Sequence, residues 1–267
     1  MWGWDSGQFS WPLTSFRAVM VAMMAPPQSQ LSRSDFAWEF LRRNPRYRAA
    51  ARARSSTRAF DDVHGEEVAR PWGLQFIADP SLPAQIADVF WRPEVAPALV
   101  VTLEPSLSPA AAPLRFGGNV ALQRRGSDGL HLKLRSGIQA VVREGDLSTP
   151  LAVVLPISGQ FSASLRAARS LHRAMAGAPA PIDDLTPQQQ LRLERMLTAL
   201  DGAASQKSYR DIANQVFGPA RVGREAWKTS TVRDAAIRLV RAGRRLMDGG
   251  YLRLLTPESS SPADDQR

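Results

Sequence analysis

Cysteine is absent from this 267-residue chain, and histidine occurs three times, at His64, His131 and His172. The first absence removes disulfides, thiolate nucleophiles, iron–sulfur clusters and every zinc site that needs sulfur. The second leaves little for a histidine-based metal centre, because His64 stands in a loop beside Glu66 and Glu67 without two more convergent ligands and His131 alternates with Lys133 and Arg135 on a strand face, as a solvent-side residue. Long apolar runs are also missing. The longest is the eight residues Ala18 to Ala25, against the ~18 to 20 that a membrane helix needs. Nor is there a Walker loop, a nucleophile elbow, a zinc-protease histidine pair or a dinucleotide fingerprint. No enzyme, cofactor, metal or membrane partner is therefore expected, and the cytoplasm is the default location. The carboxylate pairs Asp61-Asp62 and Asp183-Asp184 sit in loops or at helix starts, where solvation accounts for them.

What the chain has in excess is positive charge. Its 34 Lys and Arg face 25 Asp and Glu, a formal net charge of +9, which favours polyanionic partners. Most of these cations are arginine, whose planar fork suits phosphates and guanine edges. A GC-rich coding bias would produce the same total, so the positions of the arginines decide. Two segments concentrate them. Gln28 to Phe60 holds eight arginines and two acids, and Arg221 to Arg253 holds nine Lys and Arg against three acids.

Periodicity divides the chain. Residues 1–27 read as a leader, disordered or belonging to a mis-assigned start, since Met20, Met23 and Met24 offer internal starts. Residues 28–60 form a basic helical module: Ser34 or Asp35 caps a short helix carrying Phe36, Phe40 and Leu41, and a second helix from Tyr47 to Arg58 turns Arg48, Arg52 and Arg54 to solvent. Residues 71–176 are β-rich. Trp72, Leu74 and Phe76 alternate, as do Leu130, Leu132 and Leu134; Ala98 to Leu103, Ile138 to Val142 and Leu151 to Leu155 are apolar runs. A small antiparallel sheet is expected, covered by a helix from Ser162 to Met175 that packs through Phe161, Leu165, Ala168, Leu171 and Met175. Regular spacing makes Trp38, Trp72 and Phe90-Trp91 core residues rather than binding aromatics.

Residues 177–184 are a linker, 185–256 a helical domain and 257–267 a disordered tail. In the helical domain Thr186 or Asp184 starts a helix with Pro187 at its first turn, ending near Asp201-Gly202. Ser208 caps a second helix with Asp211 beside its positive end, and Gly218 stops it. A threonine or serine within Lys228-Thr229-Ser230-Thr231 caps a third, Val232 to about Met247. One side of this last helix carries Val232, Ala235, Ala236, Leu239, Val240 and Leu246, and the other presents Arg233, Arg238, Arg241, Arg244 and Arg245. The order fits a helix-turn-helix, whose second helix enters the major groove by its amino end. Lys228, Thr229, Ser230, Thr231, Arg233 and Asp234 lie nearest the bases on this reading, and Arg238 and Arg241 meet phosphates. The fold class is α+β, and double-stranded DNA is the expected partner. The N-terminal arginines and the last long helix are expected to share one positive face.

Ser208 to Gly218, then Trp227-Lys228-Thr229-Ser230, Val232-Arg233-Asp234, Arg238-Leu239, Gly243-Arg244, Leu246-Met247 and Gly249-Gly250-Tyr251-Leu252-Arg253-Leu254-Leu255, resemble the C-terminal domain of a bacterial regulator family common on integrative and conjugative elements. Phe36 to Arg48 resembles the small N-terminal domain that accompanies it in longer members. The connection from Pro219 to Trp227 is longer than the tight turn of a minimal helix-turn-helix. The resemblance implies either an activator that binds promoter DNA or an antiactivator that binds and blocks a regulatory protein. The first is the expectation, because the chain carries both terminal signatures and a strongly cationic second helix; the second would use Val232, Leu239 and Val240, or the Trp38/Phe40 surface, against a partner protein, with a homodimer as a further association.

Overall fold

The computed structural model describes residues 31–56, 62–108, 113–178, 185–223 and 226–256. The expected leader, the carboxyl-terminal tail and most of the 177–184 linker lie outside them.

The first helix, α1 (Arg33–Leu41), starts two residues earlier than the sequence suggested. Ser32 is its cap: the Ser32 hydroxyl accepts from the Asp35 amide at 3.2 Å, and the Asp35 carboxylate accepts from the Ser32 amide at 2.9 Å. This reciprocal box leaves Ser34 and Asp35 inside the first turn. Phe36, Ala37, Trp38, Phe40 and Leu41 are all buried, so α1 is an interior helix, and Trp38 and Phe40 belong to the core. Asn44 then starts α2 (Pro45–Ser56) by accepting from the amides of Arg46 and Tyr47. Pro45 occupies the first turn, where its missing N–H costs nothing. Arg48 and Arg52 are exposed, as expected; the Arg54 side chain is outside the described residues. A short helix α3 (Asp62–Ala69), where a loop around His64 was expected, runs into a 3₁₀ turn, Arg70–Trp72.

The middle of the chain is a five-stranded sheet of β1 (Val100–Pro105), β2 (Val120–Gly126), β3 (Gly129–Leu134), β4 (Gln139–Val142) and β5 (Leu151–Val154), in spatial order β2-β3-β4-β1-β5. It is mixed rather than antiparallel, because β1 and β4 run parallel with Val100 opposite Gln139. That pairing is non-local and invisible to local alternation. Strand β2 was not anticipated; Gln123, Arg124 and Arg125 hide its pattern. Trp72 to Phe76, expected as a strand, makes one isolated bridge, Leu74 to Trp91.

Both faces of the sheet are covered. Helix α4 (Phe161–Met175) packs on one through Ala163, Ala167, Leu171 and Ala174, with Val101, Leu103, Leu132, Ala140 and Val142 opposite. The face is turned from the one expected, and Phe161 is exposed. Residues from the N-terminal third cover the other face. His131 is therefore buried, 2% exposed, rather than solvent-facing. Its Nε2 lies 2.7 Å from the Asp128 carboxylate, and its ring stands edge-on to Phe76 and Phe90. Gln139 fixes this cover: its side chain accepts from the Trp91 amide and donates to the Val89 carbonyl.

The last third is helical: α5 (Pro187–Ala204), α6 (Tyr209–Phe217), α7 (Pro219–Val222), α8 (Thr231–Arg245) and α9 (Leu252–Leu255). Among the described residues no helix is long and apolar enough to cross a membrane. The architecture is α+β, with helical parts before and after the sheet.

Candidate nucleic-acid interface

Helices α5, α6 and α8 enclose a small core of Ala199, Ile212, Ala213, Val222, Val232, Ala236 and Val240. Each helix start follows from its sequence. Thr186 caps α5 with Gln189 completing the box. The Ser208 hydroxyl accepts from the Asp211 amide to cap α6, and Ser230 caps α8 by accepting from the Val232 amide at 3.1 Å. Small residues set the helix spacing. A β-carbon added at Gly202 would lie 2.8 Å from Ile212 Cγ1, and one at Gly243 would lie 3.0 Å from the Met196 carbonyl oxygen. Helix α5 therefore runs through Gly202 to Ala204 instead of stopping there, and Gly202 admits α6 at close range.

The long connection after α6 is not slack. Gly218 takes φ +84°, which few side chains tolerate. It leads into α7, whose Val222 is buried, and then to a 3₁₀ turn, Trp227–Thr229, with Trp227 packed on the core. Among the described residues of this connection, Pro219–Val222 form a short helix between α6 and α8.

Helix α8 buries Val232, Ala236, Val240 and Gly243 and half-buries Leu239. The apolar seam is thus consumed in the three-helix core. Thr231, Asp234, Arg238, Arg241, Arg244 and Arg245 are exposed on the opposite side. Arg238, Arg241 and Arg245 follow the i, i+3, i+7 spacing of one helix face. None of Arg238, Arg241, Arg244 and Arg245 is paired with a carboxylate among the described residues.

The residues assigned to the amino end of this helix are placed unequally. Lys228 and Thr229 are exposed in the 3₁₀ turn. Ser230 is 1% exposed, and its hydroxyl is taken by the cap, so it has no free face to offer a base. Arg233 is held along its own helix, with Nη1 3.5 Å from the Lys228 carbonyl oxygen and 3.8 Å from Asp234 Oδ1. Asp234 remains exposed beside it. Sequence reasoning overlooked Phe217 as an organiser of charge: Arg195 from α5 and Arg221 from α7 each lie 5.6 Å from its ring centroid, a cation–π arrangement.

The basic N-terminal segment meets these helices through specific groups. Arg43 forms a two-pronged pair with Asp201 of α5, at 2.6 and 2.9 Å, while also reaching Glu39. Asn44 Nδ2 donates to the Met247 carbonyl at 2.9 Å, just past α8. The chain there leaves helical geometry, Gly249 taking φ +116°, and returns through Tyr251, whose hydroxyl donates to the Trp72 carbonyl at 3.0 Å. Arg42 and Arg43 are thus internal ties. Burial pushes Glu39 toward neutrality, but hydrogen bonds from Arg43, Arg42 and the Ala84 amide outweigh it and hold the carboxyl below its ordinary value. Burial raises the Tyr47 and Tyr251 hydroxyls well above the usual phenol range, so both stay protonated donors.

No curated protein matches the chain at a significant level. Two family models do match parts of it. Residues 154–256, from the end of β5 through α9, match one described as a T6SS transcription factor DNA-binding domain. Residues 27–77, which include α1, α2 and α3, match a proteobacterial transcriptional regulator-like domain. In two separate segments, the chain is therefore similar to transcriptional regulators, and in the more C-terminal of them to a DNA-binding domain.

Proposed function

We propose that this chain regulates transcription by docking α8 on duplex DNA, with the exposed side of that helix toward the major groove. The observation that carries the reading is the division of α8 by face: one side fills the three-helix core, and the other presents guanidinium groups without acid partners among the described residues. Thr231 and Asp234, with Lys228 and Thr229 on the preceding turn, approach base edges. Arg238 and Arg241 meet phosphates, which position the protein without reading sequence. Arg233 adjusts from its intrahelical contacts to reach the groove wall, whereas Ser230 acts only through the cap. Activation of genes on a mobile element follows from the family resemblance of Ser208 to Gly218 and the segment after it, and is the sense of regulation we propose.

The protein-binding alternative is not favoured, because Val232, Val240, Trp38 and Phe40 are buried in the chain's own core and Leu239 is half-buried against it. Fluorescence anisotropy with a labelled duplex tests the DNA reading. The full chain should bind at low salt and weaken steeply as salt rises, since each neutralised phosphate releases counterions. Arg238→Ala with Arg241→Ala should flatten the logarithmic salt slope by about 2. Failure to bind any duplex at low salt would remove the proposal.

A further inference from the structure

Helix α4 carries a second cationic face that the helix-turn-helix reading does not use. Its inner side, Ala163, Ala167, Leu171 and Ala174, is seated on the sheet. Its outer side exposes Arg166, Arg169 and Arg173, with His172 beside them. The three arginines follow the i, i+3, i+7 spacing of Arg238, Arg241 and Arg245 on α8, spanning about 10 Å of helix axis. Helix α4 contains no acidic residue. Among the described residues no carboxylate pairs with Arg166, Arg169 or Arg173.

This arrangement works against the isolated helix. Like charges three and four residues apart repel, and a solvent-facing helix ordinarily interleaves acids to relieve them. Arg173 and His172 lie in the last turn, where the helix dipole favours cations, but Arg166 does not share that benefit. The match to a DNA-binding domain begins at residue 154 and so includes α4, although this helix packs on the sheet rather than in the three-helix core.

We propose that the outer face of α4 is a second seat for duplex DNA, on which Arg166, Arg169 and Arg173 hold backbone phosphates without reading sequence. This rests on the DNA-binding reading and adds to it a contact outside the helix-turn-helix. Because phosphates are common to all sequences, the contribution is uniform.

The test uses the full chain and two duplexes, a preferred fragment and a random one of equal length, over a range of salt. Replacing the three arginines by alanine (R166A, R169A and R173A together) should flatten the logarithmic salt slope by about 2 to 3 and weaken binding about tenfold or more at moderate salt, equally on both duplexes. The corresponding lysine variant (R166K, R169K and R173K) should recover most of the slope, separating charge from any folding defect. If the alanine variant binds as the unaltered chain does while Arg238→Ala with Arg241→Ala is impaired, the α4 seat is overturned and the helix-turn-helix reading stands. A lysine variant as weak as the alanine one also overturns it, and an unaltered chain that binds no duplex overturns both.

Discussion

Glu39 lies buried with three donors on its carboxylate, from Arg42, Arg43 and the Ala84 amide. Its carboxyl is held below the ordinary value, so its stabilisation is present above the unfolded-state pKa and is lost as pH falls through the folded-state value. Thermal melting at a series of pH values should show stability falling below about pH 4.5, and Glu39→Gln should lower stability at neutral pH while flattening that acid limb. Ser230 makes a separate point. Its position at the amino end of α8 suggested contact with DNA, yet burial and the hydrogen bond from the Val232 amide make it a structural cap. Ser230→Ala should cost about 1 kcal/mol of stability in a denaturant titration, and DNA affinity, measured where the variant remains folded, should change little.

At the scale of elements, the longer helices were legible because their signals are local, whereas α3 and α7 were not anticipated. Ser208 with Asp211, Thr186 with Gln189, and the alternation of apolar and basic positions on α8 each lie within a few residues. The sheet was less so. The parallel pairing of β1 with β4 joins residues about forty apart, and β3 reads as two-faced only once the N-terminal cover is in place. His131 was misjudged for that reason: alternation with Lys133 and Arg135 signals two faces, not that one of them is wet. Gly202 was read as a helix stop because glycine often is one, whereas its role is to admit Ile212. Gly202→Ala should therefore destabilise the three-helix core by about 1 to 3 kcal/mol despite alanine's better helix propensity, detectable as a lower denaturant midpoint.

Across the whole molecule, the N-terminal helices are tied to α5 and to the exit of α8. Arg43 holds Asp201 on α5, and Asn44 holds the Met247 carbonyl at the exit of α8. Sequence separations of 158 and 203 residues put these ties beyond local reasoning. Asn44 is itself buried, so Asn44→Ala leaves the Met247 carbonyl without this donor and removes the α2 cap together. A loss of about 2 kcal/mol is expected from the two effects, read as a lower melting temperature of the full chain. Of the N-terminal arginines expected to share one positive face with α8, Arg42 pairs with Glu39 and Arg43 with Glu39 and Asp201, whereas Arg46, Arg48 and Arg52 are exposed.

The lack of cysteine allows a direct test of where α8 sits. A single cysteine at the exposed position 234 (Asp234→Cys), carrying an iron-chelate cleavage reagent, should cut bound duplex within a few nucleotides of one position in each site. The same reagent on Gln123→Cys, on the edge strand of the sheet, serves as the comparison. Focused cutting from position 234 is the predicted result; binding without focused cutting from that position would contradict the docking of α8 on DNA.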